Sequence, residues 1–234
     1  MDNKKGKFIV FEGLDGSGKS TQSNLLVQYL EKKGRKVAKF DFPQYGTKSA
    51  GLVEMYLNGK YGTANEVGAK PASIFYACDR YDASFKIREM LNKGIVVISD
   101  RYVASNIGHQ GGKIKDKEER SRYFEWLYNL EYNIFGIPKP DITFILKTTP
   151  ELSLELSGRI KVKIKAHKKR LYLIDKKQDM HEQDIEHQRN ALESYLQVAK
   201  EHPEEYIVID CVDNGKLLSV EEIHKKVVAK LKNY

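Results

Sequence analysis

The sequence has few cysteines and no long apolar run. These two features argue against a secreted disulfide-rich protein and against a membrane-spanning protein. Its 234 residues contain two cysteines, Cys78 and Cys211, which lie far apart and lack the spacing of a metal site. Such sparse use of cysteine is typical of a reducing compartment. No apolar run approaches the roughly 20 residues that a membrane-spanning helix requires. The polar start at residues 1–7 lacks the apolar core of a secretion signal. We therefore expect a cytoplasmic protein with no membrane partner.

The excess of positive over negative charge is confined to one segment. The formal net charge is +8, and residues 159–177 alone contain nine Lys or Arg and a single acid, Asp175. Acidic and basic residues cancel in the rest of the chain. Proteins that bind nucleic acids usually carry a broad basic face, so a nucleic-acid binder is the weakest interpretation and no such partner is expected. A local cluster suits a small polyanion such as a nucleoside triphosphate.

Short apolar runs alternate with longer helical patterns along the whole chain. The strand candidates are 7–11, 36–40, 95–99, 142–146 and Tyr206–Asp210, and the helix candidates are 21–33, 49–57, 72–91, 117–135, 182–200 and Val220–Leu231. This alternation predicts an α/β fold, a doubly wound five-stranded parallel sheet with helices on both faces. We expect one domain over residues 1–234, with a basic lid at about 158–178. Ligands of such sheets bind beyond the carboxyl ends of the strands.

A glycine-rich segment follows the first strand candidate and precedes a helix candidate. Residues 13–20 read Gly-Leu-Asp-Gly-Ser-Gly-Lys-Ser, the pattern of a phosphate-binding loop. In such a loop backbone N–H groups cradle phosphate, the helix adds its positive end, Lys19 reaches the outer phosphates and Ser20 can hold Mg²⁺. A simple glycine-rich turn is the alternative. The predicted ATP-binding residues of this segment are Gly13, Asp15, Gly16, Ser17, Gly18, Lys19, Ser20 and Thr21.

Two further patterns suit a phosphorylated partner. Asp100 and Arg101 directly follow a strand candidate, where an acid can hold the water shell of Mg²⁺ and a guanidinium can bind a second phosphate. A helix cap with a surface ion pair would look the same. Tyr76 and Arg80 are four residues apart and share a helix face. Together they could stack on a base and bond to it, or they could be a core aromatic and a solvent-facing arginine.

Taken in order, these motifs resemble those of the thymidylate kinase family of P-loop nucleoside monophosphate kinases. The matching segments are 11–21, 41–46, 75–80, 100–106 and 179–182, within a resemblance that runs from about residue 8 to residue 210. The resemblance implies transfer of the terminal phosphoryl group of ATP onto dTMP, with Mg²⁺, to give dTDP. It also implies a homodimer, and an apolar face formed by Tyr123, Trp126, Leu127 and Leu130 is one candidate interface, although a monomer core would use the same residues.

The resemblance also assigns roles residue by residue. Lys19 and the loop backbone would hold ATP phosphates, while Ser20 and Asp100 would serve Mg²⁺. Arg101 would hold the acceptor phosphate, Asp15 the acceptor sugar, and Tyr76 would stack on thymine. The implied catalytic residues are Lys19, Asp15, Arg101 and Asp100, and the implied dTMP-binding residues are Asp15, Phe42, Pro43, Tyr76, Arg80, Arg101, Ser105, Asn106, His109, Gln110 and Glu182.

Several positions depart from the family pattern. Gln44 stands where many members carry Arg, and His109 replaces a Tyr that helps to exclude ribonucleotides, so a related kinase with a broader acceptor range is an alternative. An ATP-binding switch that phosphorylates no small molecule is another. Residues 159–165 alternate cationic and branched apolar side chains, and this period of two predicts an extended basic flap. Arg159 and Arg170 are its best candidates to contact ATP phosphates; a solvated charge run is the other interpretation.

Overall fold

The computed structural model describes residues 5–167 and 185–231, and the side chains of all of these except 159–167. Five strands form one parallel sheet in the order β2-β3-β1-β4-β5. The strands are β1 (Phe8–Gly13), β2 (Val37–Asp41), β3 (Val96–Asp100), β4 (Ile142–Lys147) and β5 (Tyr206–Asp210). These bounds differ from the sequence prediction by at most two residues, so the predicted strands are confirmed.

Helices fill the connections between the strands. They are α1 (Lys19–Lys32), α2 (Gly51–Leu57), α3 (Ala64–Val67), α4 (Ala69–Asn92), α5 (Val103–His109), α6 (Lys117–Tyr128), α7 (Pro150–His167), α8 (Ile185–Glu201) and α9 (Val220–Leu231). A 3₁₀ turn at Gly111–Lys113 follows α5, and a short antiparallel hairpin pairs β6 (Val212–Asp213) with β7 (Lys216–Leu217). No helix in the described ranges combines the length and apolarity needed to cross a membrane.

Both faces of the sheet are buried by apolar side chains. Along β1, Phe8 and Val10 face a core cluster built with α4, α5, α6 and α8, while Ile9 and Phe11 face a second cluster built with α1 and α9. Successive residues of a strand point to opposite faces, so a strand covered on both sides must be apolar throughout. This arrangement confirms the predicted doubly wound parallel sheet.

The predicted helix at 117–135 is interrupted. Helix α6 ends at Tyr128, and the chain continues as a wider π-helical turn at Asn129–Ile134. Within that turn the carboxylate of Glu131 is completely buried and paired with Arg80. An inward charge on a helix of regular apolar period is not visible in the sequence pattern.

The expectation of an extended backbone at residues 159–165 is wrong. Helix α7 begins at Pro150 and runs without a break to His167. Thr149 caps it, because the Leu152 N–H donates to Thr149 Oγ1 (3.3 Å) and the Ser153 N–H donates to the Thr149 carbonyl (2.9 Å). Proline suits the first helical position, and once a helix is nucleated each added residue gains a hydrogen bond. Propagation from this capped start therefore outweighs the local period of two.

Candidate active site

The glycine-rich segment joins β1 to α1 at the carboxyl edge of the sheet. Gly13, Gly16 and Gly18 have φ values of 135°, 80° and 92°, which only glycine adopts at little cost. Lys19 Nζ donates to the carbonyls of Gly13 (3.1 Å) and Leu14 (2.8 Å), so the ammonium lies over the loop. Burial lowers the pKa of Lys19 to about 8. A bound anion would therefore stabilise the protonated, positively charged form of Lys19.

Helix α7 packs directly on this loop. A Cβ atom at Gly16 would lie 2.6 Å from the Ser153 carbonyl and 2.8 Å from the Ser157 nitrogen, so a larger residue would displace the helix. The Ser153 hydroxyl also donates to the carbonyl of Asp15. The hydroxyl of Ser17 is buried and has no hydrogen-bond partner among residues 5–167 and 185–231. A buried donor of this kind is suited to a phosphate oxygen.

An ion pair connects the loop to the end of β3. The guanidinium Nη2 of Arg101 pairs with the carboxylate of Asp15, and the two side chains are 21% and 17% exposed. Arg101 has a φ of 68°, and its N–H donates to the carbonyl of Phe11 on β1 (2.9 Å). Burial alone would raise the pKa of Asp15, but Arg101 and Lys19 outweigh it and hold that pKa well below its usual range. Both charges of the pair are therefore retained near neutral pH.

The acid beside Arg101 lies next to the loop as well. Asp100 ends β3, pairs in register with Phe11 and Asp41, and accepts the Phe42 N–H at its carbonyl (3.0 Å). Its half-buried carboxylate is close enough to Lys19 to raise the pKa of that lysine, against the larger effect of burial. Ser20 and Thr21 are exposed in the first turn of α1.

A carboxylate that sequence analysis did not select lies beneath these residues. Glu12 is fully buried and accepts four hydrogen bonds: from the N–H groups of Tyr102 (2.7 Å) and Ser105 (2.9 Å), from the Ser105 hydroxyl (2.7 Å) and from Tyr195 (3.0 Å). It thus caps the start of α5 and ties β1 to α8. In the sequence, Glu12 is a single acid at the end of a run of four apolar residues, a position that indicates burial. A buried charge needs hydrogen-bond or ion-pair partners.

Arg80 lies on the inner side of α4. Its three nitrogens contact the carboxylate of Glu131 and the carbonyl of Tyr102, and the side chain is buried. Tyr76, one turn earlier, is half-buried and packs edge-on against Tyr56 at 6.3 Å. The two residues share a helix, but Arg80 supports the turn that carries Arg101.

Similarity to known proteins extends over nearly the whole chain. The sequence model of the family described as thymidylate kinase matches residues 11–227. This chain belongs to the thymidylate kinase family. The thymidylate kinase of Plasmodium falciparum is 31% identical over 227 residues, covering 97% of this chain and 90% of the relative. That of Schizosaccharomyces pombe is 28% identical over 229 residues, covering 98% and 93%.

Solved structures of thymidylate kinases share the fold. The enzyme of Candida albicans superimposes with a TM-score of 0.71 at 21% identity, over 98% of this chain and 92% of that one. The enzyme of Ehrlichia chaffeensis gives a TM-score of 0.63 at 24% identity, over 97% and 99%. At these identities the likeness concerns the fold, and it agrees with the five-stranded sheet described above.

The loop after β2 is held by Asp79, a second residue that sequence analysis did not select. The buried carboxylate of Asp79 accepts from the Gln44 N–H (2.8 Å), from Gln44 Nε2 (3.1 Å) and from the Ser49 hydroxyl (2.6 Å). Phe42 is buried against Tyr102 at 5.6 Å, and Pro43 is half-buried. Gln44 therefore fixes the loop to α4.

The remaining predicted residues lie in α5 or, in the case of Gln110, directly after it. The Ser105 hydroxyl donates to Glu12 and accepts from Nη1 of Arg101 (3.4 Å), while Asn106 Nδ2 donates to the Ser73 carbonyl on α4 (3.1 Å). His109 Nε2 lies 3.1 Å from Nη1 of Arg101. Gln110 is 1% exposed, and its Oε1 has no partner within the part of the chain that the structure describes. Ser105 and His109 thus contact Arg101 directly, and Gln110 offers a buried acceptor that no described residue uses.

Three predicted residues cannot be placed in this way. Arg170 and Glu182 lie outside the described residues, and Arg159 lies in α7 with its side chain outside them. Their roles remain predictions from the family resemblance.

Proposed function

We propose that this member of the thymidylate kinase family transfers the terminal phosphoryl group of ATP onto dTMP, giving dTDP. The observation that carries the proposal is the ion pair between Asp15 in the phosphate loop and Arg101 at the end of β3. It brings two anion-binding elements together at one edge of the sheet. Phosphoryl transfer needs such an arrangement, because catalysis is mainly alignment of two anionic substrates and neutralisation of spreading charge.

Each cation has a distinct task in this reaction. The loop N–H groups and Lys19 would hold the ATP phosphates, with Lys19 exchanging its contacts to the Gly13 and Leu14 carbonyls for phosphate oxygens. Arg101, anchored through Nη2, would hold the acceptor phosphate. Ser20 and Asp100 offer a hydroxyl and a carboxylate oxygen, the ligands that Mg²⁺ prefers, so these residues fit the ion. When bound, Mg²⁺ would neutralise charge on the phosphates.

The acceptor base and sugar would lie between α4 and α5. Tyr76 would stack on thymine, with Phe42 and Pro43 forming the adjacent wall, and the carbonyl oxygen of Gln110, which no described residue contacts, would accept a hydrogen bond. Because Arg80 is already bound to Glu131, its proposed contact to the acceptor would add to that pair rather than replace it. The remaining proposed acceptor contacts are Asp15, Ser105, Asn106, His109 and Glu182.

A related kinase with a broader acceptor range is the second candidate. The observation that favours it is at His109, since an imidazole stands where many relatives have a phenol and contacts Arg101 directly. The distinction is one of acceptor range and not of reaction type.

ADP formation with a panel of monophosphates tests the proposal. We expect turnover with ATP, Mg²⁺ and dTMP, and little or none without an acceptor. Lys19→Met and Arg101→Ala should each lower kcat by about 10²-fold or more. Lys32→Met, exposed on the same helix as Lys19, and Arg122→Ala, which is 66% exposed on α6, serve as matched controls. Release of ADP that is independent of every monophosphate would favour a switch, and a stronger preference for another acceptor would favour the second candidate.

We also propose a cytoplasmic homodimer. The face predicted on α6 is used inside the monomer, because Tyr123 and Leu127 are buried and Trp126 stacks on Tyr123. Helix α4 instead exposes Ile74, Tyr81 and Phe85, which recur at helical spacing. A second copy of the chain would cover this row. Phe85→Lys should halve the mass in light scattering, and an unchanged mass would exclude this face.

A further inference from the structure

The imidazole of His109 is anchored between two other side chains. Its Nε2 lies 3.1 Å from Nη1 of Arg101. A guanidinium can only donate hydrogen bonds. Nε2 must therefore be the acceptor, and it carries no proton in this contact.

The second ring nitrogen meets another histidine. His109 Nδ1 lies 3.3 Å from Nε2 of His187, in the first turn of α8, and the two ring planes are within 19° of each other at a centroid separation of 5.6 Å. A neutral imidazole carries one proton, and which nitrogen carries it is set by the bond that the other makes. Because Nε2 accepts from Arg101, Nδ1 of His109 is the donor and Nε2 of His187 is the acceptor. The geometry thus fixes the tautomers of both rings.

Burial, together with the neighbouring cations, keeps the His109 imidazole neutral. Burial lowers the pKa of His109 well below its usual value, and Arg101, His187 and Lys19 lower it further against the opposing effect of Asp15. The ring of Tyr195, which bonds to Glu12, packs edge-on against His109 at 6.0 Å and fixes its orientation. The Nε2 lone pair is therefore available to Arg101 near neutral pH.

We propose that His109 and His187 are positioning residues that orient the guanidinium of Arg101 for the acceptor phosphate. Asp15 holds Nη2 of Arg101 and His109 holds Nη1, so both terminal nitrogens are anchored on one side. Nη1 also donates to the Ser105 hydroxyl, but that contact is longer (3.4 Å) than the one to His109 (3.1 Å), so His109 contributes the closer of the two contacts that fix this end of the guanidinium. His187 acts one step further away, because it selects the tautomer of His109 that can accept. The inference rests on the proposed role of Arg101 in binding the acceptor.

The protonation of the two rings can be measured without any substrate. Two-dimensional ¹H–¹⁵N spectra of the full chain report which ring nitrogen carries a proton, and spectra of His109→Phe and His187→Phe assign the two rings among the six histidines. We expect a proton on Nδ1 and a bare Nε2 in His109. A proton on Nε2 of His109 would overturn the proposal, whatever the enzyme phosphorylates.

Kinetics test the positioning role. His187→Phe keeps a ring but removes the acceptor nitrogen, and we expect it to raise KM for dTMP by about 10-fold, the effect of one weakened hydrogen bond to a charged group, while KM for ATP is unchanged. His187→Gln, whose side-chain carbonyl can still accept from Nδ1, should restore most of the dTMP affinity. His202→Phe, beyond the end of α8, is the control and should behave as the wild type. His187 lies near the start of its helix, so this series remains decisive even if His109→Phe does not fold.

The outcomes separate this inference from the proposed function. Unchanged kinetic constants in His187→Phe would overturn the positioning role, even in an active dTMP kinase. A wild-type enzyme that does not phosphorylate dTMP would refute the proposed function, and the ring spectra would still decide whether the contact between Arg101 and His109 exists.

Discussion

Arg80 and Glu131 form an ion pair in the interior of the protein. Nε of Arg80 lies 2.9 Å and 3.1 Å from the two carboxylate oxygens, and the side chains are 2% and 0% exposed. The pair joins α4 to the π-helical turn, and Nη1 of Arg80 also donates to the Tyr102 carbonyl (3.3 Å). Through that bond it supports the residues that follow Asp100 and Arg101. Arg80 is therefore a structural residue of the site, whatever else it binds.

Breaking this pair from one side should be costly. Arg80→Met leaves a buried, unpaired carboxylate, and we expect the free energy of unfolding to fall by about 3–5 kcal/mol. Arg80→Met combined with Glu131→Leu should recover part of the loss, because no charge is then left buried. Urea denaturation measures both, with the exposed Arg122→Met as control. Wild-type stability in Arg80→Met, together with a raised KM for dTMP, would assign Arg80 to the acceptor instead.

Gly16 offers a test of the contact between the phosphate loop and α7. Gly16→Ala combines an unfavourable positive φ, which costs about 1–2 kcal/mol, with a Cβ that would collide with α7. Gly34→Ala is a matched control, since its φ of 76° is similar and no described atom lies within 4 Å of the added Cβ. We expect only the first variant to weaken ATP binding in calorimetry. Equal ATP affinity in the two would show that the contact with α7 is unimportant for the loop.

Binding of ATP should take up a proton at alkaline pH. Burial lowers the pKa of Lys19 to about 8, so above that value the free protein holds a largely neutral amine. A triphosphate favours the charged form and raises the pKa, so binding adds a proton and affinity falls as the pH rises above 8. Calorimetry at about pH 9 in two buffers of different ionisation enthalpy measures this uptake. It should disappear in Lys19→Met and persist in Lys32→Met; uptake that survives in Lys19→Met must come from another group.

Asp79 should affect the binding of the acceptor dTMP but not the binding of the donor ATP. Asp79→Ala removes the carboxylate that holds Gln44 and Ser49, and it releases the loop that carries Phe42. We expect KM for dTMP to rise by about 10-fold, since charge-assisted hydrogen bonds to the loop are lost, with little change in KM for ATP. Asp82→Ala, exposed one turn further along α4, is the control. A parallel rise in both KM values would mean that the loop also shapes the ATP site.

The sequence predicts the strands and the phosphate loop well because their signals are local. A strand buried on both faces is an apolar run, as in β1, and the turn of the loop needs glycines at fixed positions. The residues missed, Glu12 and Asp79, are acids whose partners lie 30 or more positions away in the chain. The apolar run before Glu12 indicates that this acid is buried, but the neighbouring residues identify the partners of neither acid.

The wrong prediction for residues 159–165 has a different cause. The alternation of cationic and branched apolar residues predicts an extended chain. Helix formation is cooperative, however, and the helix that begins at Pro150 continues through this segment. Arg80 illustrates a third case. Its spacing from Tyr76 gives the shared face of α4, but the buried Glu131 belongs to a π-helical turn that the pattern of α6 does not reveal.

The strand order also has a consequence for biosynthesis. β1 precedes the other four strands of its sheet in the chain, and its two neighbours, β3 and β4, end only at Asp100 and Lys147. At ribosomal rates of about 5–20 residues per second, β4 is synthesised on the order of ten seconds after β1, and until then one edge of β1 has no strand to pair with. Nascent chains that stall before β4 would expose an unpaired, aggregation-prone strand, the kind of segment that holdase chaperones protect.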